Sequence, residues 1–218
     1  MREVVDGVFE LRLGFVNVHL VVTDDGVVLL DTGVPGQAAA IERALRPLGE
    51  LHAILLTHHH PDHAGNAAVL RERTGARLIT HAAEAPFING AFPAEEPTGW
   101  LRKFVFRRIG RVEPTKIDQL IGDGAEPIAG FTAVHTPGHT RGHLSFLLDR
   151  AGGVLFAGDA AVSDRGKVAA SRVLDDPARA AESLSRLAER EFEHAVFGHG
   201  PAISGQATAR FREAAASS

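Results

Sequence analysis

Seven residues, Thr57-His58-His59-His60-Pro61-Asp62-His63, constrain this chain more than any other part of it. They place His58, His60, Asp62 and His63, four strong metal-ligand types, within six consecutive positions. Imidazole suits zinc, iron and related ions, and a carboxylate beside it fits a site for a hydrolytic dication. The bland alternative is an exposed histidine-rich turn, or a helix N-terminus with Asp62 near the N-cap position. Twelve histidines in 218 residues is already a high count, and three in a row followed by an Asp and a fourth His weigh against that alternative. Cysteine is absent, so disulfides are impossible and any metal must be held by nitrogen and oxygen.

Composition narrows the function classes. The chain is 44% hydrophobic and 23% charged, as in ordinary soluble proteins, and is long enough to bury a substantial core as one large domain or two small ones. A formal net charge of −4 gives no global basic field for nucleic acid or an anionic membrane. The stretch Met1 to Leu13 is interrupted by Arg2, Glu3, Asp6, Glu10 and Arg12, unlike a signal peptide, and no apolar run approaches a membrane span. These features predict a soluble, cytoplasmic protein acting on a small molecule, with no nucleic-acid or membrane partner. Oligomeric state is left open, a homodimer included.

Hydrophobic periodicity predicts strands at Val8 to Leu13, Val16 to Thr23, Val27 to Asp31 and Ala53 to Leu56, with a helix over Gln37 to Leu48. Beyond the cluster it predicts a helix at Asn66 to Arg73 and a strand at Arg77 to Thr80. Strands follow at Lys116 to Ile121, Phe131 to His135, His143 to Leu148, Gly153 to Ala157 and Ala195 to Phe197, with helices at Asp176 to Arg190 and Gly205 to Ala216. The histidine cluster therefore falls on a loop in a β-α-β alternation, where layered α/β proteins commonly carry sites. The segment from Glu84 to Glu113 is apolar yet irregular, with three prolines and with Phe87, Phe92, Trp100 and Phe104 as candidate substrate-pocket residues. A lid or pocket wall, a satellite core and a dimer contact all fit it. Its cations, Arg102, Lys103, Arg107, Arg108 and Arg111, read first as a solvated helix face.

Three further positions extend the cluster. In Thr136-Pro137-Gly138-His139, Phe156-Ala157-Gly158-Asp159 and Val196-Phe197-Gly198-His199, an apolar strand ends at a glycine followed at once by a ligand-type residue. Glycine permits sharp turns and close backbone approach, which helps ligands from separate strands converge. Together these motifs resemble the metallo-β-lactamase superfamily. The pattern His-x-His-x-Asp-His matches His58 to His63, the later His, Asp and His match His139, Asp159 and His199, and Leu29-Leu30-Asp31-Thr32-Gly33 resembles an early family element.

The resemblance implies an α/β (α+β) chain folded as a four-layer αββα sandwich, with residues 1–218 forming a single domain and the 84–113 segment inserted in it. It implies two divalent metal ions, zinc first, with iron or manganese as alternatives. One would be held by His58, His60 and His139, the other by Asp62, His63 and His199, with Asp159 bridging. His59 points elsewhere, as alternation along an extended segment also suggests. A metal-bridging hydroxide would attack the substrate, with Asp159 holding the metals and Asp62 orienting the water or moving its proton. Asp31 is expected behind a ligand histidine and His143 beside the site, outside the ligand set. His135 reads as structural, and His19, His52, His81 and His194 as background.

Substrate is less constrained, because one metal site serves many chemistries on this fold. No export signal is visible, as a secreted β-lactamase would carry. Only a short tail follows His199, unlike the helical domain of glyoxalase II-type thioesterases, and the absence of Tyr departs from acyl-homoserine lactonases. The leading expectation is a metal-dependent hydrolase of small carbonyl compounds, a thioester or lactone before a β-lactam. The alternatives are a mononuclear iron oxidoreductase of the persulfide dioxygenase kind and a non-catalytic metal-binding protein.

Overall fold

The computed structural model describes residues 1–93, 110–171 and 173–217. Runs of β-branched and large apolar residues build two sheets. The first contains β1 (Arg2–Val5), β2 (Val8–Leu13), β3 (Val16–Thr23), β4 (Gly26–Leu30), β5 (Leu51–Leu55), β6 (Arg77–His81) and β7 (Gln119–Ile121), side by side in chain order. Pairing is antiparallel from β1 to β4, where short turns join the strands, and parallel from β4 to β7, where helices intervene. Those helices are α1 (Ala38–Leu45), α2 (Pro61–Ala64), α3 (Ala67–Thr74) and α4 (Ala85–Ile88).

The second sheet holds β8 (Phe131–His135), β9 (Leu144–Leu148), β10 (Val154–Phe156), β13 (His194–Val196) and β14 (Ile203–Ser204), in the spatial order β14-β13-β10-β9-β8. A small ribbon, β11 (Val162–Asp164) with β12 (Lys167–Ala169), leads toward α5 (Pro177–Ala188), and α6 (Ala207–Ala215) ends the chain.

Alternation along the strands divides the apolar residues among three cores. Val18, Leu20, Leu29 and Ile54 meet Ile41, Leu45 and Leu70 on one face of the first sheet. Val21, Val28, Leu30 and Leu55 on its other face meet Phe131, Phe146 and Phe156 of the second sheet. Leu155, Ala195 and Phe197 on the far side of the second sheet pack on Leu184, Leu187 and Phe211 of α5 and α6. Three cores separate four layers, giving the αββα sandwich of the metallo-β-lactamase fold, in the α+β class. Each fully buried Leu or Phe contributes about 1.5–3 kcal/mol relative to exposure.

Strand and helix positions follow the periodicity closely, with differences where side-chain bonding overrides it. The strand expected from Lys116 begins only at Gln119, because Asp118 turns to accept hydrogen bonds from Arg71 Nε and Nη2 at 2.8 Å each and from Leu78 N–H at 3.0 Å. The irregular segment expected from Glu84 opens with a helical turn, α4, and Glu84 itself is buried. Short elements without a full hydrophobic period, β1, α2, β11, β12 and β14, carry no signal of their own in the sequence.

The sandwich edge that carries the strand C-termini is closed by backbone and amide bonds. Leu144 N–H donates to Thr57 O at 2.9 Å, joining the two sheets, and Asn17 N–H donates to Gly198 O at 2.8 Å. Asn66 locks the loop after β4. Its Oδ1 accepts from Gln37 and Ala38 N–H, supplying from outside the cap that α1 lacks, and its Nδ2 donates to Thr32 O and Val34 O. Asn66 is 1% exposed. Asn66→Ala strands four backbone groups, so an unfolding free-energy loss of about 3 kcal/mol or more is expected at a cost of about 1–3 kcal/mol per buried unsatisfied group. Urea denaturation of the variant tests this, and a loss below about 1 kcal/mol contradicts it.

Candidate metal centre

All seven ligand-type residues expected from the sequence meet at this edge. The loop after β5 brings His58 and His60; α2 then brings Asp62 and His63. Pro61 sits at the first position of α2, where a missing N–H costs nothing, so the chain turns into helix between His60 and Asp62. His139 follows β8, Asp159 follows β10 and His199 follows β13. His58 and His63 are fully buried, and His139 and Asp159 nearly so.

Three donor groups are close enough to hold an ion: His58 with His60 and His139, His58 with His63 and Asp159, and Asp62 with His63 and His199. In the first, His58 Nε2, His60 Nδ1 and His139 Nε2 lie 3.0–3.1 Å from one another. Two ligands of a tetrahedral zinc ion are separated by roughly 3.3 Å, given bonds of about 2.0–2.1 Å.

Hydrogen bonding behind the rings fixes which nitrogens carry protons. His139 Nδ1 donates to Val173 O at 2.6 Å, His199 Nδ1 to Phe15 O at 3.0 Å and His63 Nδ1 to Asp31 Oδ2 at 2.8 Å. Thr57 Oγ1 commits its proton to Asp31 and therefore accepts from His58 Nδ1, at 2.9 Å. In the neutral rings, each nitrogen facing the centre then presents a lone pair. The lone pairs of His58 Nε2 and His139 Nε2 converge with His60 Nδ1, an arrangement that fits a cation.

The second set is built differently. Asp62 Oδ2 and Asp159 Oδ2 lie 3.5 and 3.3 Å from His199 Nε2, and Asp159 Oδ1 lies 3.5 Å from His63 Nε2. Asp159 Oδ2 is also 3.6 Å from His139 Nε2, so this carboxylate stands between the two sets. His63 Nε2 and Asp159 Oδ1 are buried without a hydrogen-bond partner. Polar atoms so placed are costly unless a ligand satisfies them. Imidazole nitrogens and carboxylate oxygens grouped in this way fit bound metal.

Electrostatics separate the halves. Burial and surrounding imidazoles disfavour charge at His58 and His60, lowering both pKa values, that of His60 to about 3. Burial also opposes charge at His63, but Asp159, Asp31 and Asp62 outweigh it and raise the pKa to about 9. For His199 burial is likewise outweighed by hydrogen bonding to Asp159 and Asp62, which raises the pKa to about 11. Burial pushes Asp62 and Asp159 up, yet His63 and His199 hold both below the carboxylate range, Asp62 at about 2. Neutral His58 and His60 line one half; carboxylates balanced by imidazolium line the other.

The remaining candidates divide. Asp31 lies behind His63, with an αL backbone (φ 59°) that turns its carboxylate to accept from Thr57 N–H at 2.8 Å as well. His143 stands outside the three donor groups: Asp159 N–H donates to its Nε2 at 2.9 Å and its Nδ1 donates to Thr136 Oγ1 at 2.8 Å. His59 turns away, its ring stacked on Phe87 and hydrogen-bonded to Glu84. Phe92 packs edge-on against Phe87 and is 55% exposed. Trp100 and Phe104 lie outside the described residues.

Sequence reasoning misses Glu84, which reads as part of the irregular segment although it is a lone acid among alanines beside a strand end. It also misses Phe15, which is 55% exposed and stacks on His199 with centroids 5.9 Å apart. Nothing in the local pattern distinguishes Phe15 from a hairpin-tip residue. Gly198 is required by proximity: a Cβ there would lie 2.5 Å from Asp159 Oδ1 and 2.6 Å from His63 Cε1.

Comparison with known proteins agrees with this architecture. The sequence model of the Metallo-beta-lactamase superfamily matches residues 11–199. The chain is 31% identical to the probable metallo-hydrolase YflN of Bacillus subtilis, over 94% of this chain and 88% of that one. It is 32% identical to a hydroxyacylglutathione hydrolase of Albidiferax ferrireducens over 71% of its own length, but spans only 51% of that protein. Among solved structures, an archaeal metallo-beta-lactamase superfamily protein from Sulfolobus tokodaii superposes with a TM-score of 0.74 at 23% identity, covering 95% of this chain and 84% of that one, a likeness of fold alone. A metallo-beta-lactamase family protein from Thermus thermophilus gives 0.72 at 27% identity, over 97% of this chain and 79% of the other. Among the described residues no helix is long and apolar enough to cross a membrane. The matched span contains all seven ligand-type residues, from His58 to His199, and the chain belongs to the metallo-beta-lactamase superfamily.

Proposed function

We propose that this protein is a dinuclear metal-dependent hydrolase of small carbonyl substrates, with thioesters and lactones ahead of β-lactams. The observation that carries the reading is the pair of donor sets with Asp159 beside both, 3.6 Å from His139 and 3.3 Å from His199, and with His63 Nε2 and Asp159 Oδ1 buried without a hydrogen-bond partner. His58, His60 and His139 would hold one ion, and Asp62, His63 and His199 the other. Ions held there would supply Lewis acidity, making water more acidic and polarising the substrate carbonyl. The similarity to hydroxyacylglutathione hydrolases, whose named substrate is an acyl thioester, supports the thioester preference.

The protein's own groups divide the work. Asp159, almost fully buried, holds negative charge between the two sets. Asp62 is more accessible, its side chain 18% exposed, and its carboxylate is placed to accept a proton from the attacking water and pass it to the leaving group. His63 and His199 keep that carboxylate ionised. Phe15 and Phe92 present exposed rings, Phe15 stacked on His199 and Phe92 linked to the histidine loop through Phe87 and His59. They favour a substrate with a partly apolar acyl group.

Three outcomes test the reading. Asp159→Ala should lower metal content and abolish hydrolysis across a panel of thioesters, lactones, esters and phosphoesters; full activity in that variant refutes a shared site. Gly198→Ala should displace Asp159 and His63, costing one metal equivalent while the three-nitrogen set still binds, as read by elemental analysis. Phe15→Ala and Phe92→Ala should each raise KM for apolar acyl thioesters about two- to tenfold, the value of a contact of about 0.5–1.5 kcal/mol, at unchanged metal content. Unchanged KM in both variants removes the aromatic rim from substrate binding.

A further inference from the structure

We propose that Glu84 is a positioning residue for the metal centre: its carboxylate fastens the His58–His63 loop to the His139–His143 loop and so sets the spacing of the three-nitrogen group. The proposal rests on the metal-centre reading above. Glu84 is 1% exposed and touches none of the converging nitrogens. Its Oε2 accepts from His59 N–H at 2.9 Å and from the His59 ring at Nδ1. Its Oε1 accepts from Thr140 Oγ1 at 2.7 Å and from Gly142 N–H at 2.8 Å.

The leverage lies in which residues these are. His59 is the one residue between His58 and His60, and Thr140 directly follows His139. One carboxylate therefore grips both chain segments within a residue of all three imidazoles that must converge to 3.0–3.1 Å. His59 is held from two sides, because its ring also stacks on Phe87 with centroids 4.1 Å apart. Gly142 permits the grip: a Cβ there would come within 2.7 Å of Glu84 Oε1 and 2.8 Å of His81 Nδ1. A buried carboxylate serving only the core would need one satisfied partner set, not a bridge between two ligand-bearing loops. Four donors from two loops also explain why the residue must be an acid. A Gln of the same shape would turn its NH2 group onto the backbone N–H of His59 or of Gly142, neither of which can accept.

The experiment is a metal titration of the full-length protein against a chromogenic chelator, with Zn(II) and Co(II), for wild type, Glu84→Gln and Thr140→Val. Metal-free thermal unfolding and the Co(II) absorption spectrum are measured alongside. The expected result is a loss of about 10- to 100-fold in affinity for the tighter equivalent in Glu84→Gln, the usual size for groups that orient metal ligands, and a smaller loss in Thr140→Val. An altered Co(II) spectrum should accompany both, since a changed ligand arrangement alters the spectrum and a general loss of stability does not. Thr140→Val keeps three of the four donors and provides the answer if Glu84→Gln fails to fold. Wild-type affinity and spectrum in folded Glu84→Gln, or in Thr140→Val where only that variant folds, overturn the proposal. Failure of the wild-type protein to bind either metal overturns the metal-centre reading with it.

Discussion

The structure turns on one buried carboxylate, Asp31. It closes β4 in a left-handed conformation that Asp tolerates better than most side chains, at some cost in backbone strain. In return it receives Thr57 N–H, the Thr57 hydroxyl and His63 Nδ1. The end of β5 is thereby tied to the end of β4, and the consequences run outward. Because the Thr57 proton is committed to Asp31, the Thr57 oxygen must accept from His58, which directs the other His58 nitrogen into the centre. The same carboxylate directs His63. One residue outside the donor groups thus sets the orientation of a histidine in each half of the candidate site.

Glu84 mirrors Asp31 on the other side of the histidine loop. Both are buried acids whose oxygens are filled by protein donors, and both act on the residues adjoining the cluster. Between them the loop has little freedom. A site whose donor atoms must approach within hydrogen-bond distance of one another without a hydrogen between them needs such bracing, because lone pairs and like charges otherwise push the rings apart. The glycines at 142 and 198 belong to the same requirement, since each leaves room where a β-carbon would collide with a carboxylate.

This division explains what the sequence could reveal. The longer strands were legible because alternation and apolar runs report where a strand lies, whereas the layering was expected only from the family resemblance. Convergence of His58, His60, Asp62, His63, His139, Asp159 and His199 was legible because each lies in a short motif at a strand end. Glu84 and Asn66 were not, because their roles depend on partners in other loops: Glu84 on Thr140 and Gly142, Asn66 on Thr32 and Gln37. Asn66 showed only a helix start, whereas its side chain caps a different helix. Phe15 gave no signal since its place on His199 is set by the meeting of two sheets.

The two halves of the candidate centre are not electrostatically equivalent, and Asp159 is where they join. In the half formed with His139, burial keeps His58 and His60 neutral, so an ion held there would meet uncharged nitrogens. In the other half, Asp62 and Asp159 hold His63 and His199 in their charged form, so an ion must displace protons to enter. Asp159 lies 3.6 Å from His139 and 3.3 Å from His199, and filling the first half draws on the charge that holds protons in the second. One carboxylate within 3.6 Å of an imidazole of each set thus couples their electrostatics, so that a change of charge in either set is felt in the other.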